Sequence, residues 1–343
     1  MDLKRFRPVF GVVFRFLSAC GPRKEAAVAA EELPELPKTG PEGDVPSFVD
    51  PRSAFVKARA EHPTRIVRVV QAGTPPQEVA PPAPTPATGF EATVYPGRLG
   101  AMHAYRSKDP GDSKKHPLVV WAHGNFNGGI DVGEMGRLEP QNPNRQSGAI
   151  TATFRKQGIA VLIPTFRGES GNPGRYEALF GEVDDFLAAA AYGAALPWVD
   201  AEQVYFAGHS TGGALVLLAS AASRRHVATF AFGPVARVRD YGPKIAPFST
   251  TGAGASREWE LRNPEQWVHA IQAPVFLMEG ADGGNAEDIP LLMKATRSQS
   301  HALQGHVYEG FTHVSILGPG GDFAAAKIAS NRPVADWVLP TKF

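Results

Sequence analysis

The stretch VYFAGHSTGGALVLLAS, residues 204–220, decides the fold because a short glycine-rich segment around Ser210 separates two apolar segments of different periodicity. Val204 to Ala207 form a short apolar run typical of a buried strand, and the leucines that follow Gly213 are typical of a buried helix. Between them lies Gly-His-Ser-Thr-Gly, which predicts a tight turn whose glycines allow close backbone approach. Because the chain has 36 glycines, this pentapeptide alone is weak evidence, and its flanking segments are what make it informative.

The segments from Phe90 onward alternate between strand and helix patterns. A hairpin over 90–106 is followed by apolar strands and by helices of about 10–15 residues. This alternation favours an α/β fold with a mostly parallel sheet and helices on both faces. The last helix is expected over 325–338. One interval, residues 234–268, has no clean periodicity and is interpreted as a short lid insertion above the sheet.

The first twenty residues have the layout of a secretory signal. Basic residues precede a short apolar segment that ends in Leu-Ser-Ala-Cys, and Cys20 is the only cysteine of the chain. Residues 1–20 thus resemble a bacterial lipoprotein signal peptide, although Arg15 departs from its apolar segment. The resemblance implies lipidation of Cys20, export to the periplasm or outer membrane, and membrane contact only through the lipidated N-terminus.

The region between this segment and the main domain is rich in proline and charge. Residues 21–88 are interpreted as a tether and a proline-rich segment, and residues 89–343 as the catalytic domain. Between the tether, residues 21–47, and the proline-rich stretch, residues 74–88, a short helix is expected over 53–61 and a strand over 65–70.

Composition excludes several classes of partner and cofactor. The formal net charge is +1, with acidic and basic residues interspersed, which gives no reason to expect a nucleic-acid partner. A single cysteine cannot form a disulfide within the chain. We find no zinc-binding or nucleotide-binding motif in the sequence and expect neither a metal nor a cofactor.

Three residues follow strands in the order nucleophile, acid, base. Ser210 follows the strand at 203–208, Asp282 follows the strand at 273–280, and His313 follows the strand at 306–311. Ligands bind at the carboxyl ends of parallel strands, and a serine nucleophile needs a base that is itself held by an acid. We therefore predict Ser210 as nucleophile, His313 as base and Asp282 as the acid that orients it.

Other acids and histidines compete for these roles. Glu279 and Asp288 lie near Asp282 in sequence, but Glu279 is assigned to the strand and Asp288 to the next helix. His301 and His306 precede the last strand and are therefore expected at the opposite end of the sheet.

An acyl-transfer site also needs preformed N–H donors for the oxyanion. The backbone N–H of Thr211, directly after the nucleophile, is the first candidate. The second is the N–H of Asn125, in the Gly-rich loop that follows the third strand. We expect His123 to orient this loop rather than to transfer protons.

Four short motifs, GHSTGG, WAHGN, EGAD and GFTH, occur in the order found in α/β-hydrolases, and residues 88–343 resemble that superfamily. The segment from FRGESGNPG to GHSTGG is similar to the prolyl oligopeptidase and dienelactone hydrolase branches. Two departures stand out. The roughly 65 residues between Cys20 and the domain are too few for the propeller of prolyl oligopeptidases, and dienelactone hydrolases use a cysteine nucleophile.

The first hypothesis is therefore a serine esterase that cleaves a small carboxylic ester through an acyl-enzyme. The second is a serine peptidase acting on short peptides with the same residues. A non-catalytic binding protein on the same fold is a third, disfavoured because a full set of catalytic residues is present. The aromatic residues of the insertion are candidates for an acyl pocket or for a local core: Phe248, Trp259 and Trp267.

Overall fold

The computed structural model describes residues 50–66, 89–124, 146–240, 255–296, 303–330 and 332–343. The strands of these residues form one eight-stranded sheet. They are β1 Phe90–Gly97, β2 Gly100–Ser107, β3 His116–Ala122, β4 Ala160–Pro164, β5 Val199–His209, β6 Thr229–Phe232, β7 Val275–Asp282 and β8 Leu303–Thr312.

The strand order is β1-β2-β4-β3-β5-β6-β7-β8. Strand β2 runs antiparallel to both neighbours, β1 and β4, and every pair from β4 to β8 is parallel. The parallel strands therefore present their carboxyl ends along one edge of the sheet, where ligands bind in such folds. The predicted α/β-hydrolase fold is confirmed.

Helices cover both faces of the sheet. They are α1 Pro51–Glu61, α2 Gln146–Lys156, α3 Glu182–Ala194, α4 Thr211–Ala222, α5 Ala255–Glu260, α6 Pro264–Trp267, α7 Asp288–Ala295 and α8 Leu317–Ala329. Side chains of β3 alternate between the two layers: Leu118 and Val120 pack in the core that includes α3 and α4, while Val119 and Trp121 pack in the core that includes α2 and α8. Burial on both faces explains why this strand is a continuous apolar run.

The helix predicted near residue 53 is present and packs against the domain. Asp50 caps α1 by accepting the Ser53 N–H at 3.2 Å, and Pro51 occupies the first turn. Phe55 is fully buried, with its ring 4.5 Å from that of Trp267, and Arg59 donates to Asp184 at 2.8 Å. Residues 50–66 of the N-terminal segment therefore pack on the domain.

A buried ionic cluster, Glu258–Arg262–Thr64, ties this N-terminal segment to the insertion. The Glu258 carboxylate accepts the Thr64 hydroxyl at 2.9 Å, the Arg65 N–H at 2.6 Å and Arg262 Nη1 at 2.7 Å. Arg262 also donates to Thr64 Oγ1 at 2.6 Å and to the Glu177 carbonyl at 3.0 Å. Both charges are buried, and each is surrounded by opposite charge or hydrogen-bonding groups.

Two predicted elements differ from the structure. The last helix, α8, ends at Ala329 rather than running to residue 338, because Pro333 cannot donate a helical hydrogen bond. Trp337 instead lies beyond a short 3₁₀ turn and stacks on Tyr205 at 6.1 Å. In the strand expected over 65–70, Arg65 and Ile66 have no strand pairing, and the rest of it lies outside the described residues.

Several predictions fall outside the described part of the chain. Cys20 and the first twenty residues, Asn125, Phe248 and the middle of the insertion, residues 241–254, all lie there. Lipidation at Cys20 and export stay predictions. Among the described helices, none combines the length and apolar character needed to cross a bilayer.

Candidate active site

Ser210 occupies a sharp turn between β5 and α4. Its backbone has φ 58° and ψ −120°, a conformation that is strained for a residue with a side chain. The turn is held by the Ser210 N–H, which donates to the Phe232 carbonyl at 2.8 Å. Gly212 is required next to it, because an added Cβ would collide with the carbonyl oxygens of Ala122 and His123 in β3 and the loop after it. The tight turn that the sequence predicts is therefore present, and the role of Ser210 as nucleophile stays a prediction.

The residue that holds the His313 ring is Glu279. Its Oε2 lies 2.6 Å from His313 Nδ1, and its side chain is fully buried while that of His313 is 25% exposed. The same carboxylate accepts the Gly280 N–H at 2.7 Å and the Asn285 N–H at 3.1 Å. Since a carboxylate accepts this bond, Nδ1 carries the proton and Nε2 is left as the basic nitrogen.

Asp282 does not occupy the position predicted for the acid. Strand β7 continues to Asp282, which pairs with Thr312 of β8 after a register shift that begins at Gly280. The Asp282 side chain is exposed, whereas Glu279 points into the space beside His313. The physical reason for the correction is the length of the strand: the carboxylate in its buried part, rather than the one at its end, faces the histidine.

Two glycines make room for the Glu279–His313 pair. An added Cβ at Gly233 would lie 2.6 Å from both Glu279 Oε2 and His313 Nδ1, and one at Gly284 would lie 2.8 Å from His313 Nδ1. Both have positive φ, 55° and 77°, which side chains rarely adopt. Asn285 closes the loop by donating its side-chain N–H to the Gly233 carbonyl at 2.8 Å. The glycines that follow the strand are thus part of the site.

The loop proposed for the oxyanion approaches the nucleophile. An added Cβ at Gly124 would lie 3.2 Å from Ser210 Cβ, so the backbone before Asn125 passes close to the serine. Asn125 itself lies outside the described residues. Thr211, the other predicted donor, is buried at the first position of α4. These positions fit the predicted roles, which stay predictions.

His123 forms a second buried imidazole–carboxylate pair that the sequence did not reveal. Its Nε2 lies 3.1 Å from Glu169 Oε2, and its Nδ1 lies 3.1 Å from the Gly124 carbonyl oxygen. Burial alone would lower the pKa of His123, but the Glu169 carboxylate and the Gly124 carbonyl outweigh it and raise that pKa above the ordinary value. The ring therefore links the loop after β3 to the loop after β4, as an orienting residue would.

The aromatic residues of the insertion pack into the core in the part that is described. Trp267 is buried against Phe55, and its Nε1 donates to the Glu260 carbonyl at 2.8 Å. Trp259 is partly buried against the same core. Trp267 is therefore a core residue rather than the wall of an acyl pocket. The described residues contain no group of histidine, cysteine and acidic side chains arranged to hold a metal.

Comparison with known proteins identifies relatives of this chain. The model of the prolyl oligopeptidase family matches residues 145–316, half of the chain. The uncharacterized peptidase YtmA of Bacillus subtilis strain 168 is 25% identical over 180 residues, which cover 47% of this chain and 66% of the relative. The chain thus spans slightly less than two thirds of that relative.

Solved structures show the same fold. A puromycin-hydrolyzing peptidase of Mycobacterium tuberculosis has a TM-score of 0.57 and 18% identity, over 70% of this chain and 39% of that one. An esterase of Pyrobaculum calidifontis has a TM-score of 0.50 and 17% identity, over 71% of this chain and 82% of that one. The matched family segment includes the serine turn, the buried glutamate and the histidine that it holds. The chain therefore belongs to the prolyl oligopeptidase family.

Proposed function

We propose that this protein is a serine peptidase that hydrolyses short peptides through an acyl-enzyme, with Ser210, His313 and Glu279 as its catalytic residues. The observation that carries the proposal is the 2.6 Å bond between Glu279 Oε2 and His313 Nδ1, at the sheet edge where Ser210 lies in its strained turn. Esters are the alternative substrates, because the same residues cleave both bonds.

Each residue has one chemical task. The Ser210 hydroxyl attacks the substrate carbonyl while His313 Nε2 takes its proton, and the backbone N–H groups of Thr211 and Asn125 stabilise the oxyanion. Glu279 stabilises the imidazolium of His313, which then gives its proton to the departing amine. Water, deprotonated by His313, attacks the acyl-enzyme and releases Ser210.

The peptide preference rests on the family and on the chemistry of the leaving group. The family model is that of an oligopeptidase, the curated relative is described as a peptidase, and similar structures include acylaminoacyl peptidases. An amine must be protonated to leave, so an imidazolium stabilised by a fully buried carboxylate suits amide cleavage. These points favour peptides over esters as the main substrates.

A labelling experiment tests the proposed nucleophile. The protein without residues 1–20 is treated with a fluorophosphonate probe, and the modified peptide is mapped by mass spectrometry. We expect label on the peptide that contains Ser210 and none on Ser210→Ala. A folded protein that takes up no label, or takes it up elsewhere, contradicts the mechanism.

A matched pair of substrates tests the bond that is cleaved. An anilide and an aryl ester of the same dipeptide acyl group differ only in the leaving group, so the ratio of their kcat/KM values compares amide with ester cleavage. We expect both to be hydrolysed by the wild type and neither by Ser210→Ala. If only the ester is hydrolysed, across several dipeptides, the protein is an esterase rather than a peptidase.

A further inference from the structure

The histidine that precedes the nucleophile contacts the loop of the catalytic histidine. His209 lies between Gly208 and Ser210 at the end of β5, and its Nε2 is 2.9 Å from the carbonyl oxygen of His313. The two imidazole rings are 4.5 Å apart and tilted by 38°. This bond joins positions 104 residues apart and lies directly beside the nucleophile turn.

The direction of the bond fixes the tautomer of His209. A backbone carbonyl oxygen only accepts, so Nε2 of His209 donates and carries the ring proton in the neutral state. Burial, followed by the positive charge that His313 can carry, lowers the pKa of His209 to about 3. The ring is therefore neutral throughout the neutral range, and it makes its bond without placing a second positive charge beside His313.

His313 is consequently held at two points by chemically different groups. Glu279 binds the ring at Nδ1 and His209 binds the backbone at the carbonyl oxygen. One bond fixes the rotation of the ring, and the other fixes the position of the backbone that carries it. Catalytic groups displaced by about 1 Å lose on the order of 10² in rate, so the position of the backbone matters as much as the rotation of the ring.

We propose that His209 is a positioning residue, whose neutral imidazole holds the His313 backbone so that His313 Nε2 faces Ser210. The inference rests on the proposed function, since it assigns a role in the same site. His226 shows that the bond is not a general consequence of burying a histidine. It is buried beside Phe206, with ring centroids 4.3 Å apart, and neither of its ring nitrogens has a hydrogen-bond partner among the described residues.

A pair of near-isosteric variants separates the hydrogen bond from the volume of the side chain. His209→Gln places an N–H donor near the position of Nε2, whereas His209→Met fills similar space without a donor. We expect His209→Met to lower kcat and the fluorophosphonate labelling rate by about 10- to 100-fold with KM within about twofold. We expect His209→Gln to recover most of the loss. His226→Met is the control for loss of a buried histidine and should keep the wild-type kcat.

Hydrogen exchange of the segment 309–317 provides a readout that does not depend on activity. Loss of the bond should accelerate exchange in this segment in His209→Met but not in His209→Gln or His226→Met. A His209→Met variant with wild-type kcat, labelling rate and exchange overturns the inference. If the wild type itself takes up no label, the proposed function fails, and unchanged exchange in His209→Met would then overturn the positioning bond separately.

Discussion

Two buried glutamates of this protein have similar surroundings and different partners. Glu279, at the carboxyl edge of the sheet, accepts bonds from Gly280 N–H, Asn285 N–H and the His313 ring. Glu258, in the insertion, accepts bonds from a backbone N–H, a hydroxyl and the guanidinium of Arg262. Both carboxylates are buried among hydrogen-bond donors, but the donors include the Arg262 guanidinium at Glu258, where His62 Nε2 also lies 3.3 Å away, and the His313 imidazole at Glu279.

The Arg262 guanidinium and the His313 imidazole give the two carboxylates different roles. Arg262 is always protonated, so Glu258 is neutralised permanently and the cluster holds chain segments together. Although burial alone would raise the pKa of Glu258, the Arg65 N–H and the Arg262 charge hold that pKa below its ordinary value. An imidazole, unlike a guanidinium, can exchange a proton, so Glu279 has a charge to stabilise in one state of the His313 ring and not in the other. Glu258 is thus held as an anion by Arg262, although His62 Nε2 also lies 3.3 Å from its Oε1, whereas Glu279 faces a ring that can exchange a proton.

Glu279→Gln should have the largest effect, because it removes the charge that stabilises the His313 imidazolium and leaves the shape unchanged. We expect kcat/KM for the anilide substrate to fall by about 10³- to 10⁴-fold, as removal of the acid does in other serine hydrolases. Circular dichroism and the thermal midpoint serve as controls for folding. Activity within tenfold of the wild type would mean that Glu279 is as structural as Glu258.

Arg262→Met should do the opposite and affect stability rather than chemistry. It leaves Glu258 buried without its counter-charge, and we expect the free energy of unfolding in urea to fall by about 3–5 kcal/mol. Activity per labelled active site should be unchanged. The control is Arg257→Met in α5, the helix that ends just before Arg262: the Arg257 side chain is 41% exposed, and loss of its surface pair with Glu260 should cost less than about 1 kcal/mol. Equal losses of unfolding free energy in both variants would contradict the structural role of the buried Glu258–Arg262 pair.

Gly233→Ala tests whether the Glu279–His313 pair needs the space around it. The added Cβ would lie 2.6 Å from atoms of both residues, and we expect kcat to fall on the order of 10²-fold through displacement of the ring. Gly111→Ala is the matched control, since Gly111 has a similar φ of 69° but no atom within 4 Å of an added Cβ. It should cost about 1 kcal/mol of stability and leave kcat unchanged. A Gly233→Ala enzyme with wild-type kcat would show that the pair tolerates displacement.

His226 is a buried ring without a hydrogen-bond partner among the described residues, and its replacement should have the smallest effect on stability. Burial lowers the pKa of His226 to about 3 from 6.5. The unfolded chain therefore binds a proton below pH 6.5 that the folded protein excludes, and stability falls as the pH drops from 6.5 towards 3. When the pH is lowered from 7 to 5, the free energy of unfolding in urea should fall by about 1–2 kcal/mol more in the wild type than in His226→Phe. If the free energies of unfolding of the wild type and His226→Phe fall in parallel with pH, the His226 ring takes up its proton in the folded state as well.

The parts of the fold that repeat a pattern could be predicted from the sequence, and those set by single contacts could not. Buried strands such as β3 and the glycine-bounded turn at Ser210 leave strong local signals. The packing of α1 leaves no such local signal. Its neighbours in sequence are rich in proline, and only tertiary contacts show that Phe55 is fully buried. Pro333, by contrast, is a local signal that by itself excludes a helix running from residue 325 to residue 338.

The contact between Glu279 and His313 was missed because the position of the acid was inferred from the end of a strand rather than from burial. Glu279 is the only charged residue of the apolar run PVFLMEG, and a carboxylate in such a run needs a partner. The glycines that follow it, with Asn285, were a further signal of a crowded site. The register shift at Gly280, which extends β7 to Asp282, has no counterpart in sequence periodicity.

Glu279, rather than Asp282, is the carboxylate that holds His313, and kcat/KM of Asp282→Asn tests this assignment most directly. The substitution makes the same chemical change as Glu279→Gln three residues later on the same strand. Because the Asp282 side chain is exposed, we expect kcat/KM of the Asp282→Asn variant to stay within about threefold of the wild type. A loss of about 10³-fold or more in a folded Asp282→Asn protein would contradict the claim and give the role of the acid to Asp282.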